Sequence, residues 1–262
     1  MKKINVEEGI IKIDSLKERL YIEVENGGKR RDFVLKVYID YEEVPVRIDE
    51  QMYNSYYFSL DDKELKEISF FLPESISENA SHKLTVFLIS GANTHAGNLM
   101  DNLTNNYSIA LDYLLLFENH TSVLESNCKY ENIKTLKSDP YQGLLFNLDY
   151  SKGKNNKLPP KEITVKSGEK IKVAYRIGGY EDTENYAFVV MIDWKAVRID
   201  NQFYKLVKTE KGRIGYGEVY LQMPLNQGKY EVTGWVIPNP FDKNKLNLFP
   251  LDSSYRFTLN VV

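Results

Sequence analysis

The sequence predicts an all-β protein of two tandem antiparallel β-sandwich domains related by internal duplication, and three observations predict it. Apolar and polar residues alternate over short stretches, the period-two pattern of strands with one face in a core. Val37-Tyr38-Ile39-Asp40-Tyr41 returns as Val190-Met191-Ile192-Asp193-Trp194. The chain has 262 residues, more than the usual domain of about 100 to 150, and half of it is the size of an ordinary sandwich.

The repeated stretch is read as the central strand of each copy. Phe33, Leu35, Val37, Ile39 and Tyr41 fall on one side of it, and Tyr186, Phe188, Val190, Ile192 and Trp194 on the same side of its counterpart. The offset between copies drifts only where loops belong. Ile39 precedes Ile192 by 153 positions, Ile68, Phe70 and Leu72 precede Val219, Leu221 and Met223 by 151, and Leu84 precedes Val232 by 148. The last strands are matched at 148 as well, Tyr107, Ile109 and Leu111 against Tyr255, Phe257 and Leu259. Apolar register kept within strands while length changes between them indicates two copies of one fold.

The remaining elements follow in chain order. Ile11-Lys12-Ile13 and Leu20 to Val24 alternate as strands, and Asn26-Gly27-Gly28 is expected to supply a positive-φ turn. The counterparts are Ile163 to Val165, Ile171 to Ile177 and Gly178-Gly179. Pro45 lacks an N–H, so Val44 to Ile48 belongs at a sheet margin. Asp61 to Lys66 is expected to form one helical turn, and no long helix is expected. Gly143 to Tyr150 reads as an opening strand of the second domain with no counterpart in the first. Either an N-terminal segment has been removed or the first sandwich takes its edge from elsewhere.

Pro224 to Val232 is a turn leading to Tyr230 at the start of an alternating strand. In this the chain resembles immunoglobulin-like and fibronectin type III-like domains, whose tyrosine corner bonds a hydroxyl to upstream backbone. The resemblance implies that role for Tyr230. The first copy has His82 at the matching position, so its corner must be built differently.

Domain boundaries are placed at 1–118 and 141–262, with a strandless linker at 119–140. In both copies about 17 residues separate the last two strands, Ser90 to Asn106 and Pro238 to Ser254. Loops this long in compact domains are often functional, and a sandwich displays them at one end. They are the candidate partner-binding loops, with His95 and Asn98 in the first and Phe241 and Phe249 in the second, each balanced against packing on its own domain.

No catalytic constellation is legible. His82, His95 and His120 fall on different elements, which argues against a hydrolytic triad or zinc site. The carboxylate pairs Asp61-Asp62, Glu42-Glu43 and Asp49-Glu50 lack the spacing of a calcium loop. Asp40 and Asp193 are assigned to their turns. No metal site and no cofactor is expected. The lone Cys128 excludes an internal disulfide, and the balance of 34 basic and 37 acidic residues gives no attraction to nucleic acid. The apolar run from Ile109 to Phe117 is too short to span a bilayer as a helix. Met1-Lys2-Lys3 is followed by a polar, acidic stretch where the apolar part of an export signal would stand. The basic stretch Lys152, Lys154, Lys157, Lys161, Lys166, Lys170 and Lys172 is read as a solvated connection, with contact to an anionic wall polymer as the sharper alternative. Sequons at Asn79, Asn102, Asn106 and Asn119 matter only in a eukaryotic secretory pathway. The chain is read as a non-enzymatic cell-surface or secreted bacterial interaction or spacer protein with a protein or glycan partner, the alternative being a carbohydrate- or wall-polymer-binding module.

Overall fold

The alternating stretches fold as strands, and no helix occurs among the residues described by this computed structural model, which are 6–7, 9–95, 108–117, 129–136, 142–147, 162–241 and 251–262. Two compact units result. Unit 1 comprises Met1–Asn93, Asn105–Ser126 and Phe241–Pro250, and unit 2 comprises Thr94–Thr104, Asn127–Pro240 and Leu251–Val262.

In unit 1 the early strands are β1 (Val6–Glu7), β2 (Ile10–Ile13), β3 (Leu20–Glu25), β4 (Arg31–Ile39) and β5 (Glu42–Val44). They are followed by β6 (Val46–Ile48), β7 (Gln51–Tyr53), β8 (Tyr56–Leu60), β9 (Leu65–Phe70), β10 (His82–Ser90) and β11 (Ser108–Phe117). One sheet runs β1-β2-β11-β10-β4-β5, with β8 sharing the β4 edge beside β5. The other pairs β3 with β9, and a bridge from Arg47 to Phe71 joins the β6–β7 hairpin to it. Side chains from both sheets close one core: Leu20, Val24, Ile68 and Phe70 from the second, Phe33, Leu35, Val37, Ile39, Leu84, Val86, Leu115 and Phe117 from the first.

Unit 2 contains β12 (Glu131–Asn132), β13 (Lys134–Thr135), β14 (Gly143–Asn147), β15 (Glu162–Val165), β16 (Lys170–Gly178) and β17 (Asn185–Ile192). Then come β18 (Lys195–Ala196), β19 (Tyr204–Lys208), β20 (Ile214–Gln222), β21 (Gly228–Pro238), β22 (Asp252–Ser253) and β23 (Phe257–Val261). Its sheets run β12-β19-β17-β21-β23-β15 and β13-β20-β16-β14. Across them Tyr175 of β16 meets Phe188 of β17 at 4.7 Å between ring centroids. Each unit is therefore an immunoglobulin-like β-sandwich. The pairing is antiparallel except where β2 lies parallel to β11, β12 to β19 and β15 to β23.

Strand β14 closes over β21, and the contact depends on a missing side chain. A Cβ added to Gly234 would collide with the Phe146 ring and come within 2.9 Å of Leu144. Gly234→Ala should therefore destabilise unit 2 by about 1–3 kcal/mol through overpacking, measured as a lower urea midpoint at unchanged slope; an unchanged midpoint would show that β14 moves aside freely.

Several expectations are corrected. Asp61 to Lys66 is no helical turn: the Glu64 amide donates to the Asp61 carbonyl at 3.2 Å, Lys63 sits at φ 60°, and β9 begins at Leu65. Gly27 and Gly28 are not at positive φ; the Asn26 amide holds that turn by donating to the carbonyls of Gly28, Lys29, Leu60 and Asp61 at 2.9–3.0 Å. The segment read as a strandless linker carries β12 and β13, both in unit 2 sheets. The central strands are buried on both faces, not one, since Val34, Lys36 and Tyr38 are as enclosed as Phe33, Leu35 and Val37.

The last strand is also displaced from the offset of 148. Leu84 faces Tyr113 while Val232 faces Phe257, and Leu115 beside Ile11 corresponds to Leu259 beside Ile163. Leu115 and Phe117 fill the core, whereas Ile109 and Leu111 are 53% and 40% exposed. A shift by an even number of residues preserves the alternation, so the pattern alone does not reveal it.

Candidate interaction site

Four two-residue turns give the units their local shape. Asp40 and Tyr41 (φ 51° and 66°) join β4 to β5, and Asp193 and Trp194 (51° and 63°) join β17 to β18. Asp49 and Glu50 (47° and 68°) join β6 to β7, while Asp200 and Asn201 (49° and 76°) turn the chain before β19. Two consecutive positive φ values are the type I′ geometry that matches the twist of paired strands.

An open groove of about 460 Å³ lies beside the Asp49-Glu50 turn, lined by Arg19, Arg47, Asp49, Glu50, Ser69 and Phe71. Arg47 and Phe71 exchange backbone hydrogen bonds at 3.1 and 3.0 Å, so their side chains stand together on the outer face of the second sheet. Arg19 immediately precedes β3, whose Leu20 faces Phe70, and so borders Phe71 from the other side. The Arg47 guanidinium carbon lies 4.5 Å from the Phe71 ring centroid and that of Arg19 5.0 Å. Stacking of this kind holds a planar cation at modest cost and leaves its N–H donors free. Neither guanidinium forms a salt bridge among the described residues.

A groove of about 380 Å³ beside the Asp200-Asn201 turn of unit 2 differs. Its Lys205 Nζ lies 2.9 Å from both Glu131 Oε2 and Asp200 Oδ2, so the cation is consumed within the fold.

The sequence-derived candidates are distributed otherwise. His95, in unit 2, has Nδ1 3.3 Å from Glu231 Oε1 with about a third of its side chain exposed. Phe241, in unit 1, meets the buried Tyr41 ring edge-on at 5.4 Å. Asn98, Phe249, His120, Cys128 and the lysines from 152 to 161 lie outside the described residues. Asp193 keeps a turn role, its amide donating to the Glu231 carbonyl at 2.7 Å. Sequence reading missed the Arg19–Phe71–Arg47 row, for which one signal existed: Phe71 falls on the outward parity between inward Phe70 and Leu72.

The corners also become concrete. The Tyr230 hydroxyl donates to the Asn226 carbonyl at 3.0 Å. At the matching place in unit 1, His82 Nε2 lies 2.9 Å from the Ser77 carbonyl, and Nδ1 lies 2.6 Å from Asp40 Oδ2. Both ring nitrogens thus face acceptors, an arrangement fully satisfied only by the imidazolium. The hydrogen bond to Asp40 raises the His82 pKa against the opposing effect of burial. A raised folded pKa contributes stability in full below the unfolded value of about 6.5 and loses it as pH rises through the folded value. Unit 1 should therefore be more stable at about pH 5.5 than at about pH 8.5 relative to His82→Gln. Denaturation of both proteins at the two pH values checks this; a pH-independent difference would count against it.

Buried charges close the interior of each unit. Lys83 Nζ lies 2.6 Å from Asp112 Oδ2, with the Thr85 hydroxyl donating to Oδ1 at 2.7 Å. Burial pushes the Asp112 pKa up, against the pull of Lys83. Lys36 Nζ reaches Glu43 Oε1 at 2.7 Å. In unit 2, Glu231 accepts from Arg256 Nε at 3.2 Å and from the Thr258 hydroxyl at 2.5 Å, with Arg256 Nη2 3.2 Å from Oε2 in the ion pair. Arg256 also lies 4.5 Å from the Trp194 ring centroid.

No protein-family model matches the chain, and no curated protein matches it significantly in sequence. Among solved structures it is similar to the E. coli chaperone DraB, at 7% identity over 97% of this chain and 95% of that one, with a TM-score of 0.29. The periplasmic chaperone SfaE gives 8% identity over 94% and 93%, with a TM-score of 0.27. WR4, a C. elegans MSP family member, gives 12% identity over 39% of this chain and 94% of its own, with a TM-score of 0.26.

Proposed function

We propose that the chain is a non-catalytic interaction protein, displayed on a cell surface or secreted, whose two immunoglobulin-like sandwiches arose by duplication. The non-catalytic reading is carried by the engagement of the interior ionisable groups in the framework: His82 with Asp40 and Ser77, Lys83 with Asp112, Glu231 with Arg256 and Thr258. Groups holding each other at hydrogen-bond distance have little freedom to exchange protons with a substrate. The duplication is supported by the recurring I′ turns, by the parallel pairing of an early strand with the last one in each unit, and by matching bonds from Asp40 N to Lys83 O and Asp193 N to Glu231 O. A protein partner would engage the loops that follow β10 and β21, through His95, Asn98, Phe241 and Phe249. A second reading, a saccharide-binding module, is favoured by the unspent guanidiniums beside Phe71.

Crosslinking on intact cells that make the protein, followed by purification of the crosslinked species and a binding titration, tests the proposal. The expected result is a saturable complex, recovered from the cell surface or medium, whose components keep their masses. A mass change in the bound component would identify an enzyme, and recovery from the cytosol alone would refute the surface placement.

A further inference from the structure

We propose that the outer-face groove of unit 1 binds acidic saccharides, with a carboxylate or sulfate group engaging Arg47 and Arg19 and neighbouring hydroxyls engaging Asp49, Glu50 and Ser69. This deepens the reading above and rests on its view of the chain as a binding protein. Surface arginines beside carboxylates ordinarily pair with them. Here Arg19 and Arg47 share a groove with Asp49 and Glu50, yet both stack on Phe71 and neither is bridged among the described residues. The ring orients two planar forks before any ligand arrives, which reduces the ordering cost of binding.

The mixture of charges selects the ligand. A compact inorganic anion would meet the guanidiniums but gain nothing from Asp49 and Glu50, which would repel it. A neutral sugar would leave both cations unused. An acidic saccharide offers an anion for the guanidinium donors and a row of hydroxyl donors for the two carboxylates and the Ser69 oxygen. Adjacent strands lie about 4.8 Å apart, so Arg19 and Arg47, on either side of Phe71, address a chain laid across the strands rather than a single small ion. The net charge of −3 supplies no general attraction to polyanions, so recognition depends on these local contacts. The corresponding groove of unit 2 lacks the property because Glu131 and Asp200 already hold Lys205.

The test is calorimetric titration of the full chain with a galacturonate tetramer, a heparin-derived sulfated tetrasaccharide and neutral cellotetraose. At least one acidic oligomer should bind saturably, and which one responds identifies carboxylate or sulfate as the recognised anion. Cellotetraose should not bind. Arg47→Gln and Arg19→Gln should each weaken binding by about tenfold or more, the loss of a charged hydrogen bond, without lowering Tm because both side chains are exposed. Lys205→Gln should leave it unchanged. Absence of binding by both acidic oligomers, equal binding of cellotetraose, or full affinity in the Arg19→Gln/Arg47→Gln double variant would overturn the assignment. Mass spectrometry of the recovered oligosaccharide separates the two claims: cleavage would defeat the non-catalytic reading, while the variants alone judge the site.

Discussion

Replacing Glu231 by alanine should cost unit 2 about 3–5 kcal/mol, because the change leaves a buried guanidinium without its counter-charge. Glu231 is 1% exposed and Arg256 7%. In the wild type the carboxylate accepts hydrogen bonds from Arg256 Nε and the Thr258 hydroxyl, lies 3.2 Å from Arg256 Nη2 in the ion pair, and has His95 Nδ1 3.3 Å from Oε1. After the substitution Arg256 retains the Thr94 carbonyl and the Trp194 ring, neither of which carries the missing negative charge. Burial already disfavours the charged form of Arg256 and lowers its pKa against the opposing effect of Glu231. The double variant Glu231→Leu/Arg256→Met should recover most of the loss, since removing both charges also removes the desolvation penalty. Urea denaturation of the three proteins provides the measurement. A loss below about 1 kcal/mol for Glu231→Ala would mean that water reaches Arg256 and that the pair is not sealed.

The second large effect is expected at the central strands. Ile39 and Ile192 are 6% and 5% exposed, and truncation of either to alanine should cost about 2–5 kcal/mol, combining lost transfer energy with a residual cavity. Ile109→Ala serves as the contrast. Its side chain is 53% exposed, so its removal should change stability by no more than about 0.5 kcal/mol. Comparable losses at Ile39 and Ile109 would contradict the packing of β11 described above.

What the sequence made legible follows from period and chemistry that repeat locally. The inward parity of Phe33 to Ile39 and of Ile68 to Leu72 and the corner hydroxyl of Tyr230 could each be read from a few neighbouring residues, whereas the single margin strand expected from Val44 to Ile48 is broken at Pro45 into β5 and β6, which lie in different sheets. What escaped reading depends on partners distant in sequence. Lys36 looks like an outward residue of an alternating strand until Glu43 is seen to meet it. Asn26 looks like a turn residue beside two glycines, although two of the four carbonyls its side-chain amide donates to belong to Leu60 and Asp61. The shift of the last strand preserves parity and is visible only in the ladder. The groove was illegible for the same reason, since Arg19, Arg47 and Phe71 come from three separate stretches that register alone brings together.

The parallel contacts of β2 with β11 and β15 with β23 bear on how the protein is made. Ile11 must find Leu115, and Ile163 must find Leu259, contacts separated by roughly a hundred residues of chain, which places both sandwiches among slow-folding topologies of high contact order. During synthesis at about 5–20 residues per second, β2 and β15 therefore wait seconds for their mates, each with an unpaired edge that a chaperone or a neighbouring nascent chain can reach before the sheet closes.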